Sequence, residues 1–215
     1  MDIFFTVLTA ATVFVLALPL LYLVGHVLGL PVRGLQSGLM RASRAIDAAN
    51  DGIGRFVAWF ALAMVLIQTV VVLQRYVFGV NFIWLQESVM YLHGFLFLLA
   101  SGYTLLHNGH VRVDVFYREA GVLPRAIIDF AGCYVFLFPV MLVVLEVTYP
   151  YVRISWIVSE GSAETSGIPG IYLLKTVILG FAALLLAQGL SMAIKQAFIL
   201  TGVVKDAGKE EHLTF

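Results

Sequence analysis

Three groups of polar residues interrupt an otherwise apolar chain, and any chemistry must use them. Gln68, His93 and Gln188 lie inside long apolar runs. RYVFG at 75–79 and WLQE at 84–87 put Arg75, Trp84 and Glu87 at the end of one run and the start of the next. HNGHVRVDVFY at 107–117 carries His110, Arg112 and Asp114. A histidine within a membrane can ligate haem, but that needs a second histidine at matching depth on a facing helix. His107 and His110 fall a helix length beyond His93, and His26 sits near the far end of another run. His93 therefore reads as a helix-packing residue. Gln68 and Gln188 read as hydrogen-bonding groups between helices, within the chain or with a partner. Arg75, Trp84 and Glu87 read as anchors of helix ends that pair with one another or with lipid, and Arg112 as a binder of lipid phosphate.

Enzymatic patterns do not occur. The chain has no glycine-rich phosphate loop, no HExxH, no GxSxG with a partner histidine, and no paired carboxylates within an apolar run. Cys133 is the single cysteine, so it forms no internal disulfide and no cysteine metal site. Thirteen basic residues balance thirteen acidic ones, which gives no electrostatic case for nucleic acid. These reactive groups are dilute because 61% of the 215 residues are hydrophobic and 12% charged, about half the charge of an ordinary soluble domain. With a mean hydropathy of +0.97, such a chain is an all-α integral membrane protein.

The elements that must position these groups are five apolar segments, at 3–30, 56–73, 88–106, 126–147 and 171–194. Each approaches or exceeds the roughly 20 residues a helix needs to cross a bilayer. Unbroken apolar runs exclude the alternating segments of a barrel. The first lacks a basic leader and is longer than the apolar core of a signal peptide, so it reads as a retained helix kinked at Pro19. Residues 32–52 mix Arg33, Arg41 and Arg44 with apolar residues at helical spacing, as a surface-lying amphipathic helix or a solvated linker helix would. Residues 148–170 hold interfacial aromatics and then a Ser/Gly/Pro loop, and 205–215 is a charged tail. Ala183, Ala187 and Ser191 form a small-residue stripe suited to close helix approach.

An odd number of spans puts the two ends on opposite sides. With the N-terminus outside, ten lysines and arginines fall inside and three outside. Cytoplasmic loops carry the basic excess, so the expected threading is N-out, C-in.

RYVFG, WLQE, the GYTLLHNGHVRVDVFY run at 102–117, SWIVSEGSAETSGIP at 155–169, Lys175 and LLLAQG at 184–189 together resemble the small membrane subunit (DctQ type) of tripartite ATP-independent periplasmic, or TRAP, transporters. HVRVD and the late SW…E.S.E..G.P pattern look most like the mannitol/chloroaromatic branch. The resemblance covers roughly residues 47–200. It implies a four-helix domain at 53–204 with one additional helix at 1–31. It implies a non-catalytic subunit of a sodium-driven secondary transporter in the bacterial inner membrane, taking up an organic acid or similar solute. Its partners would be a large elevator-type membrane subunit, which it braces, and a periplasmic substrate-binding protein. Arg75, Trp84 and Glu87 would then lie near the docking surface, and His110, Arg112 and Asp114 would shape a cytoplasmic turn. No cofactor is expected, although interfacial Arg and Trp would suit a structural phospholipid between subunits. The competing class is a haem- or quinone-linked membrane anchor of a redox complex.

Overall fold

Proline positions decide where the long helices can run. None occurs between Pro31 and Pro124, and the chain uses that freedom. The computed structural model describes residues 3–110, 117 and 119–203, and among them the structure is all helical. Helix α1 spans Ile3–Val27, α2 Arg33–Val77, α3 Ile83–Leu99 and α4 Ser101–Leu106. Then come α5 at Val122–Gly132, a π turn at Cys133–Leu137, α6 at Phe138–Ile157 and α7 at Ile171–Leu200. Among the described residues, five helical stretches are long and apolar enough to cross a membrane: α1, α2, α3 with α4, α5 with α6, and α7.

The amphipathic stretch at 32–52 and the apolar run from Phe56 are one unbroken helix of 45 residues. At 1.5 Å per residue it is about 67 Å long, twice the hydrocarbon thickness. Gly52 and Gly54 weaken such a helix by about 1 kcal/mol each relative to alanine without ending it. Gly54 has a packing role: a Cβ there would overlap the Cβ and ring of Tyr103.

The chain divides into two compact units, one of residues 1–48, 109–142 and 186–215, the other of 49–108 and 143–185. In the first, Tyr22 of α1 is fully buried and meets Phe198 of α7 edge-on at 5.1 Å. Pro19 lies inside the unbroken α1 and Pro139 just after the π turn; a proline cannot donate to the carbonyl four residues back and its ring pushes against that carbonyl. Ahead of Pro139 the helix widens into the π turn, in which the Phe138 N–H reaches the Cys133 carbonyl five residues back. Tyr134 in that turn donates its hydroxyl to the Leu16 carbonyl of α1 at 2.8 Å, one turn before Pro19. In hydrocarbon such groups must find partners inside the protein.

The second unit pairs the rest of α2 with α3 and α4, and sets them beside parts of α6 and α7. Phe60 meets Phe95 at 6.4 Å, and Gly94 leaves room for Leu174, whose Cδ1 lies 2.7 Å from where a Cβ would be. Of the stripe Ala183–Ala187–Ser191, Ser191 is fully buried while Ala183 is exposed. Ala182, Ala193 and Ala197 are fully buried with Ser191, and Gly189 lies against Leu137. More than half of α7's apolar span is buried, against a tenth to a sixth for the other four helices.

Candidate functional site

Glu87 lies in the second turn of α3. Its carboxylate accepts the Ile168 backbone N–H at 2.6 Å and the Ser162 hydroxyl. Ser162 in turn accepts the Glu164 backbone N–H at 3.1 Å. Gly167 closes the turn, and a Cβ there would overlap the Ser162 side chain and come 2.7 Å from a Glu87 oxygen. One carboxylate thus holds the loop at 158–170, using charge-assisted bonds that are stronger than neutral ones. Arg75 and Trp84 do not join it. Both are exposed, and the Trp84 ring lies 6.5 Å from Phe82.

The same loop has a second attachment. Ser159 takes a left-handed conformation (φ 46°) where α6 stops, and the Glu160 N–H returns to the Ser155 carbonyl at 3.0 Å. That turn delivers the Glu160 carboxylate to Lys175 of α7 at 2.5 Å. The ammonium also lies 3.9 Å from the centre of the Tyr151 ring. Trp156 donates to the Thr176 hydroxyl at 2.8 Å. The Lys175 hydrogen bond holds the Glu160 carboxyl below its usual range. A lowered value means the folded loop resists protonation, so the pair contributes fully above the ordinary carboxylate range and is lost as pH falls through the depressed value. Hydrogen exchange of 158–170 should stay slow down to the ordinary range and rise only below it. Lys175→Met should bring that rise to higher pH; an unchanged profile would show the pair to be idle.

A polar cluster that the motifs did not reveal lies in the first unit. Asp47 of α2 accepts Gln188 Nε2 at 3.0 Å and the Ser191 hydroxyl at 2.6 Å through one oxygen. Its other oxygen pairs with Lys195 at 2.9 Å. Ser43, one turn before Asp47, exchanges a 2.7 Å hydrogen bond with Ser191. Ser43, Gln188 and Ser191 are buried. Their spacing was the available signal: Ser43 and Asp47 are i, i+4, and Gln188, Ser191 and Lys195 are i, i+3, i+7, so each set occupies one helix face.

Gln68 and His93 behave differently from Gln188. Both are exposed on their helices, and neither has a hydrogen bond among the described residues. The His93 ring stacks on Phe97 at 6.3 Å. His110 is exposed in the bend after α4, while Arg112 and Asp114 lie outside the described residues. Near that bend, His107 covers the Tyr103 ring at 4.1 Å and approaches Asp51, which pairs with Arg55 at 2.9 Å.

The family model described as "Tripartite ATP-independent periplasmic transporters, DctQ component" matches residues 64–198. No curated protein and no solved structure matches. The matched stretch takes in Glu87, the 158–170 loop, Gln188, Ser191 and Lys195; α1, Ser43 and Asp47 precede it. It spans well over half of the chain, which therefore belongs to the DctQ family, the small component of TRAP transporters.

Proposed function

We propose that this chain braces the large membrane subunit of a TRAP transporter and helps form the surface where a periplasmic substrate-binding protein docks. Transport would be sodium-driven uptake of an organic acid or similar small solute across the bacterial inner membrane. The observation that carries this reading is the surface of the bundle. Four of the five spanning helices leave most of their apolar span uncovered, a surface that suits packing against another membrane protein and lipid. The basic-residue distribution supports an N-out threading. On that threading Arg75, Trp84, Glu87 and the 158–170 loop face the periplasm, and the 107–117 stretch with His110, Arg112 and Asp114 faces the cytoplasm. The HVRVD and SW…E.S.E..G.P patterns favour the mannitol/chloroaromatic branch. Exposed Arg75 and Trp84 suit contact with phospholipid at the headgroup level.

Affinity purification from native membranes tests the reading. A large multi-span protein should co-purify, and uptake should need a sodium gradient and the binding protein together. Glu87→Lys should release the loop and lower uptake several-fold while the two membrane subunits stay together. Uptake by the chain alone would overturn the proposal, and full uptake by Glu87→Lys would remove that residue from the docking surface.

A further inference from the structure

Gln68 is nine residues before the end of α2 and His93 ten residues after the start of α3. These helices are joined by the short connection at 78–82. At 1.5 Å per residue the two side chains lie about 14 and 15 Å from that turn, at closely similar depth. Exposed Tyr76 and Trp84 flank the turn, as expected at a headgroup layer, so both residues fall well inside a hydrocarbon core about 30 Å thick. Neither side chain is long enough to reach the headgroups from there.

The surroundings of both are apolar. On α3 the exposed residues Met90 and Phe97 lie three before and four after His93, on one helix face. On α2 the exposed Val65 and Val72 lie three before and four after Gln68. The Gln68 amide offers two donors and an acceptor, and neutral His93 offers one of each. The chain satisfies none of these groups among the described residues, and lipid tails can satisfy none. Lipid is thus a poor cover for this face, whereas a helix with hydroxyl, amide or carboxylate side chains at the same depth supplies what is missing.

Resting on the transporter reading above, we infer that the exposed faces of α2 around Gln68 and of α3 around His93 are covered by transmembrane helices of the large TRAP subunit, which hydrogen-bond to both side chains. The apolar residues around the pair supply contact area, and the pair fixes the register. Photo-crosslinking residues at positions 65, 90 and 97, in cells producing the whole transporter, test this, with position 154 on the exposed side of α6 as a comparison. All three should crosslink to the large subunit. Gln68→Leu with His93→Leu should reduce the large subunit retained on purification several-fold. The melting temperature of the isolated chain should not change, because neither residue is bonded within it. Crosslinks to lipid alone, or to a second copy of this chain, while the large subunit still co-purifies, would overturn the inference and leave the transporter reading intact. Absence of a co-purifying large subunit in the unsubstituted protein would instead defeat that reading.

Discussion

Asp47→Ala should destabilise the chain by about 3 kcal/mol, the usual scale for removing one member of a largely buried, charge-assisted network. The substitution takes a shared acceptor from three partners at once. Gln188 and Ser191 are buried and lose their acceptor, and Lys195 loses the carboxylate 2.9 Å away. Lys195 is about a third exposed, so solvent can recover part of its loss; Gln188 and Ser191 are buried from solvent, and Ser191 keeps its bond with Ser43. Asp47→Asn separates the contributions. It keeps an oxygen for Gln188 and Ser191 and gives up only the ion pair, so its cost should be about 1 kcal/mol. Equilibrium unfolding in mixed micelles measures both. Equal effects of Ala and Asn would mean that the ion pair alone holds the cluster. No effect from either would mean that the first part of α2 is not fastened to α7 there. The location matters because Ser43 and Asp47 precede the family match while their partners lie inside it. The cluster is how the segment ahead of the matched domain is tied to that domain's last helix.

Much of the architecture is readable from apolar run length alone, because a membrane helix must be long and must bond its own backbone. Each of the five runs overlaps one of the five spanning helices, several of which extend well beyond it. Chain-local signals fail where a residue's partner lies far away in sequence. Asp47 and Ser43 look like the polar side of a basic surface helix until Gln188 and Ser191, more than 140 residues later, are brought against them. Ser191 looks like one of three small residues, yet its hydroxyl is what the cluster uses. Glu87 is legible as a helix-end carboxylate, but the groups it holds, Ser162 and the Ile168 N–H, belong to a loop without periodicity. Gly52 and Gly54 fall where the amphipathic stretch gives way to the apolar run, yet α2 passes through both. Glycine in a helix is a weak breaker compared with proline, and at 54 its missing side chain is occupied by Tyr103.

Gly54→Leu should be as damaging as the loss of Asp47, through overlap where the other acts through loss. Tyr103 fills the space above Gly54 with its Cβ and ring. These are the rigid root of a side chain, so rotation about χ angles cannot clear them. Even alanine must drive α2 and α4 apart, and overpacking of this kind costs about 1–3 kcal/mol, more for leucine. Gly102 faces Asn50 one turn earlier in α2 in the same manner, which leaves the helices little freedom to slide and absorb the strain. The suppressor is specific: Tyr103→Ala, itself destabilising through the cavity it leaves, should relieve Gly54→Ala, so that the double substitution costs less than the sum of the two. Strict additivity in unfolding measurements would sink the argument, because it would mean that the two residues do not touch. The consequence reaches beyond stability. Gln68 and His93 stand on the continuations of the same two helices, and they keep their matching depth only while α2 and α3 keep their packing. Gly54→Ala should therefore also weaken retention of the large subunit, and Tyr103→Ala should restore it, although neither position belongs to the face that the partner covers.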